Sequence, residues 1–139
     1  GDILDYSCQY FNRMHDWTVR KNLQRARRYK RGIREKDLRD ALERINLADK
    51  LEAKVNTLSG GEQQRVAIAR TFLRDPDIIL ADEPTGNLDV DNAERVMGML
   101  FTLHGNGKTL IMITHNVELA ARFPRIIRLE KGLLTETGA

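Results

Sequence analysis

A chain of 139 residues, 41% hydrophobic and 31% charged, suits one globular domain of about 100 to 200 residues and is too apolar for disorder. Its longest apolar runs, 78–81 and 110–113 among them, are four residues each, which excludes a membrane-spanning helix of roughly 18. The net charge of +3 is uneven: residues 20–36 hold nine basic residues and one acidic, so the remainder is net −5.

The first five residues, Gly1-Asp2-Ile3-Leu4-Asp5, have neither the basic start nor the apolar stretch of a secretory signal. Cys8 has no second cysteine to pair with, in keeping with a reducing cytosol. Residues 18–56 are rich in Leu, Arg, Lys, Glu and Ala, with Leu38, Leu42, Ile45 and Leu47 spaced along one helical face and Asp37 placed as its N-cap. Nothing there forms a catalytic arrangement, so 18–56 reads as a helical subdomain or docking surface. Its basic cluster, 20–36, reads as a solvated helical surface. Tyr29 is the one aromatic within it, so the stacking platform of a single-strand binder is missing and nucleic acid is not the expected partner.

After Thr57 the pattern alternates. Residues 60–74 predict a helix with Val66, Ala69, Phe72 and Leu73 inward, stopped by Asp75-Pro76, because proline disfavours helical geometry in the residue before it. Residues 78–81 follow as a strand whose unbroken apolar run suits a parallel strand covered on both faces. A helix over 91–103 buries Val96, Leu100 and Leu103 and ends at Gly105-Asn106-Gly107. A second buried strand spans 109–114, a short helix 116–122, and strands 125–129 and 133–135 flank a Lys131-Gly132 turn. Taken together, these elements predict an α/β fold with a mostly parallel sheet.

Three polar constellations mark the element ends. Leu58-Ser59-Gly60-Gly61-Glu62-Gln63-Gln64-Arg65 opens a helix. Ser59 and Glu62 alone make a capping box, but that leaves the two glycines unexplained, since each costs about 1 kcal/mol in a helix. Bare glycines at a positive helix end would let a large anion reach the backbone amides. Asp82-Glu83-Pro84 ends the first buried strand, where open α/β sheets bind ligands. Two adjacent carboxylates repel unless a metal or donors lie near; Asp82 suits Mg²⁺ and Glu83 suits orienting or deprotonating a water. His115 ends the next strand, which brings it beside Glu83 if both strands are parallel, whereas His104 and His15 read as structural. Gly107-Lys108-Thr109 imitates the end of a GxxxxGK[ST] phosphate loop, but Thr102 stands where the first glycine belongs, and a strand follows where a helix should.

Residues 58–70, LSGGEQQRVAIAR, resemble the signature motif of ABC-type ATPases. Residues 78–89, IILADEPTGNLD, resemble their Walker B strand, catalytic glutamate and D-loop, and 111–115 their switch histidine. DEPTGNLD is similar to the form in the lipoprotein-releasing, macrolide-export and cell-division type. The resemblance implies the C-terminal part of a RecA-like P-loop NTPase core over 58–139, with the signature helix, and a Q-loop region and α-helical subdomain over 1–57. It implies ATP and Mg²⁺ as cofactors, Glu83 and His115 as catalytic residues, Asp82 and Gln9 at the metal, and Gln9, Ser59, Gly60, Gly61, Glu62 and Asp89 at nucleotide. Around Gln9 the chain departs from its relatives, with Cys8 for Phe, Arg13 for Leu and Lys21 for Glu.

By the same resemblance, the expected function is the ATP-hydrolysing subunit of an ABC transporter, working as a head-to-tail dimer beneath a transmembrane permease. It would lie in the cytoplasm, peripheral at the inner face of the membrane. Nothing in the 139 residues resembles the P-loop, so the chain alone is expected to be inactive. The alternatives are a non-transport ABC ATPase and a non-catalytic remnant. The fifty positions from Gln9 to Ser59 leave no room for the long coiled coil of a chromosomal type.

Overall fold

The computed structural model describes residues 3–7, 16–28 and 30–138. Cys8, Gln9, His15 and Tyr29 lie outside the described residues. Strand β1 (Ile3–Ser7) pairs in parallel with β2 (Ile78–Asp82), and β2 with β3 (Thr109–Ile113), in the order β1-β2-β3. Ser7, Asp82 and Ile113 share one register, so all three strands end on the same edge. The sequence reading did not anticipate β1, whose sheet partner lies far along the chain.

Between β1 and β2 the chain is helical. Helix α1 (Val19–Gln24) starts at Thr18, whose hydroxyl accepts from the Lys21 N–H, and runs into a 3₁₀ turn at Arg25–Arg28. Helix α2 (Glu35–Arg44) buries Leu38, Ala41 and Leu42. Its N-cap is Arg34 and not Asp37: Asp37 sits in the third helical position, where its carboxylate reaches back to the Arg34 N–H at 2.7 Å. Part of the basic stretch is neutralised within the fold, since Arg20 pairs with both Glu35 and Glu52, and Lys30 with Asp75.

Helix α3 (Gly60–Arg74) joins the two parts. Val66, Ala67, Ile68 and Ala69 are buried in succession, which a helix shows only when it is covered all round. Helices α4 (Val90–Gly105) and α5 (Val117–Ala120) follow β2 and β3, and the chain closes in an antiparallel hairpin of β4 (Arg125–Glu130) and β5 (Leu133–Gly138). One continuous apolar core runs from Val19 to Leu119. No helix among the described residues is long and apolar enough to cross a membrane.

The sheet departs from the expectation of two covered faces. In β2, Ile79 and Ala81 are buried while Ile78 and Leu80 are half-buried; in β3, Leu110 and Met112 are half-buried, and Ile111 and Ile113 are 48% and 52% exposed. Helices cover one face. Among the described residues nothing covers the other to the same depth, and β3 lies at the sheet edge.

The turn before β3 is fixed by charge. Asp75 caps α3 in the left-handed region (φ 52°), and its carboxylate meets Lys108 Nζ at 2.7 Å, while His104 Nδ1 lies 2.9 Å from the Lys108 carbonyl. Lys108 is thus a turn residue between a helix and a strand. Its ammonium, hydrogen-bonded to Asp75, holds that carboxyl below its ordinary range. A depressed carboxyl adds stability above its unfolded pKa of about 3.9 and loses it as pH falls through the folded value. Asp75→Asn is therefore expected to lower the melting temperature at neutral pH, and thermal melts from about pH 7 to about pH 2 should show the gap to the parent closing in acid.

Candidate functional site

The strand ends gather the carboxylates and the histidine. Glu83, the residue after β2, has φ 43°, a left-handed conformation that costs an L-residue about 1 to 3 kcal/mol. Its N–H donates to the Ile113 carbonyl at 2.8 Å, carrying the β2–β3 ladder one step past Asp82. The turn in the backbone sends the carboxylate across to the end of β3. There Oε1 accepts from the His115 N–H at 2.6 Å and Oε2 from the Thr114 hydroxyl at 3.2 Å. Thr114 Oγ1 in turn accepts from the Asn116 N–H at 3.0 Å, which orients the hydroxyl proton towards Glu83.

His115 is beside Glu83, as parallel strands require. Its backbone makes the short contact. The imidazole is fully exposed, with Nε2 3.7 Å from Glu83 Oε1. A carboxylate offers about four lone-pair sites. Two N–H and O–H donors leave lone pairs on Glu83 able to accept from a water. Asp82, next door, stays exposed to solvent.

The start of α3 is a complete capping box: Ser59 Oγ accepts from the Glu62 N–H at 3.2 Å, and Glu62 Oε1 from the Ser59 N–H at 3.0 Å. That Ser59 amide lowers the Glu62 carboxyl below its usual range. The glycine pair divides into two cases. A Cβ on Gly60 would meet nothing within 4 Å, so Gly60 leaves the helix end bare. A Cβ on Gly61 would stand 2.6 Å from Asn92 Cγ and Oδ1 and 3.1 Å from its Cβ. Close packing against α4 therefore gives Gly61 a reason of its own to be glycine, beside the anion approach expected of the pair. Asp89 caps α4, accepting from the Asn92 N–H at 2.8 Å. Its capping role and the Gly61 contact meet at the same residue.

Three residues in this region were not picked out by spacing. Thr114 and Asn92 show their roles only through contacts across elements. Gln64 is buried, and its Nε2 donates to the Pro84 carbonyl at 2.6 Å. Its neighbours in sequence turn the other way: Gln63 donates to the Val55 and Leu58 carbonyls at 3.0 and 3.1 Å, and Arg65 Nη1 to the Ile45 carbonyl at 2.9 Å. A cleft of about 420 Å³ between the turn at 30–34 and Phe72-Leu73 lies apart from these groups.

The described residues hold no cluster of three His, Cys, Asp or Glu side chains able to cage a metal. A lone strand-end carboxylate such as Asp82 fits Mg²⁺, which commonly binds through one or two carboxylates together with substrate phosphates.

Comparison with known proteins places this geometry in a family. Residues 4–86 match the family model described as ABC transporter. The chain belongs to the ABC transporter family. Its relatives include the macrolide export ATP-binding/permease protein MacB of Chlorobaculum tepidum, 47% identical over 106 residues, which cover 76% of this chain and 16% of that protein. The uncharacterized ABC transporter ATP-binding protein YbbA of Escherichia coli K12 is 50% identical over 96 residues, 68% of this chain and 42% of YbbA. Among solved structures, the ATP-binding cassette MJ0796, in a dimeric post-hydrolysis state bound to ADP and Pi, superposes with a TM-score of 0.82 at 34% identity, covering 99% of this chain and 62% of that one. A second dimeric MJ0796 structure gives 0.77 at 36% identity, covering 96% of this chain and 61% of that one. The chain thus spans 16% and 42% of the two curated relatives and under two thirds of either solved cassette.

The two glycines should separate experimentally. Gly60→Ala is expected to leave the melting temperature equal or higher, by up to about 1 kcal/mol of helix propensity. Gly61→Ala should destabilise by about 1 to 3 kcal/mol through overpacking, and Asn92→Ala in the same chain should recover part of the loss. Denaturant titration of the three variants beside the parent measures both.

Proposed function

We propose that this chain is the C-terminal part of an ATP-hydrolysing cassette, coupling hydrolysis to transport through a membrane-embedded permease. The observation that carries the reading is Glu83: a carboxylate held in a costly backbone conformation at the carboxyl edge of a parallel sheet, with lone pairs left for water. Family membership and the likeness to a cassette bound to ADP and Pi support it.

In this reading Glu83 orients the attacking water and accepts its proton. The Thr114 hydroxyl and His115 N–H fix the carboxylate oxygens, so Glu83 meets the water in one orientation. The His115 imidazole, exposed beside Glu83, would act at the γ-phosphate. Asp82 would hold Mg²⁺, which with bound ATP would neutralise charge on the phosphate oxygens. Gln9 would add a second ligand at the metal. Ser59, Gly60, Gly61 and Glu62 at the start of α3 would face the nucleotide of a second, head-to-tail subunit, with Asp89 at the same interface. Residues 1–57 would supply the Q-loop and helical subdomain towards the permease, and 58–139 the catalytic part of the core. The assembly would lie at the inner face of the membrane, peripheral through that permease.

General-base removal typically costs about 10²- to 10⁴-fold in rate. In a cassette that includes this chain and turns over ATP, Glu83→Gln is expected to cut turnover by about 10²-fold or more with nucleotide affinity retained. Steady-state hydrolysis beside equilibrium nucleotide binding checks this, and near-normal turnover refutes it.

No residue among the 139 replaces the phosphate-loop lysine or its amide cradle. The chain by itself is therefore expected neither to bind Mg-ATP tightly nor to hydrolyse it. Calorimetry on the purified chain, alone and mixed with a segment carrying a phosphate loop, should show heat of binding in the mixture only.

A further inference from the structure

We infer that Gln64 is a positioning residue for Glu83, tying the first turns of α3 to the turn that carries the proposed general base. The inference rests on the reading of Glu83 given above. Glu83 needs outside support because its backbone conformation is unfavourable, and its own turn supplies little: the Gly86 N–H reaches the Glu83 carbonyl only at 3.3 Å. From α3, Gln64 Nε2 donates a short, buried bond of 2.6 Å to the Pro84 carbonyl of this turn. Pro84 has no N–H and a fixed φ. Anchoring its carbonyl therefore restricts the orientation of the Pro84–Thr85 peptide, one residue on from Glu83.

The direction of this side chain sets it apart from its neighbours. Gln63 and Arg65 bind carbonyls of the helical part at Val55, Leu58 and Ile45, and Gln64 binds the sheet-edge turn. One turn earlier, Gly61 lies against Asn92, whose N–H is held by Asp89. The start of α3 thus grips the segment 83–92 near both ends. A shift of α3 displaces the Pro84 carbonyl, and the Glu83 carboxylate with it. Misplacing a reacting group by about 1 Å can cost about 10²-fold in rate.

The test uses the active cassette that includes this chain. Gln64→Met keeps the side-chain length and removes the donor; Gln64→Glu is a second variant of equal size. The expected result for both is a fall in kcat of about 10- to 10²-fold with KM within about twofold. In a Glu83→Gln background, Gln64→Met should add no further loss, because a residue acting through Glu83 has nothing left to position. Amide exchange should quicken at Glu83 and Gly86 and stay unchanged at Asn106, while Gln63→Met should lower the melting temperature without that exchange pattern. Unchanged kcat and unchanged exchange in either folded variant overturn the inference. So does a loss that multiplies with that of Glu83→Gln, which marks a structural role. Parent-level turnover in Glu83→Gln alone instead removes the general-base reading, and this inference with it.

Discussion

Glu83 stands in a backbone conformation that an L-residue adopts at a cost of about 1 to 3 kcal/mol, and the carboxylate-bearing edge of the sheet depends on that cost being met. The ladder bond to Ile113 meets part of it, as do the contacts from Thr114 and His115 to the carboxylate. Without the left-handed turn, Glu83 would continue the pleat of β2 and alternate away from Asp82. With it, Glu83 is held at the end of β3 by donors while Asp82 remains in solvent. Donors for one carboxylate and water for the other offset the repulsion expected of the pair.

Helix α3 is where the two parts of the chain are joined, and its burial explains its composition. A helix covered all round can carry polar side chains only where each finds a partner. Thr71 bonds back to the Ala67 carbonyl, Gln64 reaches Pro84, Arg65 reaches Ile45 and Arg70 reaches Asn22. Arg65 is the costly member: burial lowers its affinity for a proton, and its Nε finds no partner among the described residues. The charge is retained where a single guanidinium stitches α3 to the end of α2. The basic surface on the other side contributes less, because exposed pairs such as Lys30 with Asp75 are worth about 0 to 1 kcal/mol.

Much of this was legible in the residues. Apolar spacing located α3, β2, α4, β3 and the final hairpin within a few positions, because those elements bury side chains at their own period. The switch to parallel pairing followed from unbroken runs such as Ile78-Ile79-Leu80-Ala81, and the place of His115 beside Glu83 followed from parallel pairing. What the sequence hid was decided by distant partners. Strand β1 exists through its pairing with β2, which no local pattern encodes. Asp37 carries the chemistry of a cap, yet chain direction put Arg34 at the cap and Asp37 three residues on. The apolar run in β3 encodes a strand covered on both faces, and the described residues cover one. The packing of Gly61 against Asn92, a second reason for glycine there, shows only once α4 is in place.

The division between Gly60 and Gly61 bears on how the start of α3 can respond to whatever presses on it. Gly61 and Asn92 are packed so closely that no Cβ fits between them, and Gln64 holds Pro84 by a short buried bond. Those two contacts leave little freedom for α3 to slide against the turn carrying Glu83 while each keeps its own shape. Gly60 lies one residue earlier with open space around it. Anything that presses on that bare end meets a helix of fifteen residues whose other contacts include Ile45 in the helical part. Because packed interiors transmit displacement and absorb little of it, a push at Ser59-Gly60 would be passed at once to Pro84 and to Ile45. The sheet edge and the helical part would then move by way of one rigid element, and the position of the Glu83 carboxylate would depend on whether that element is engaged.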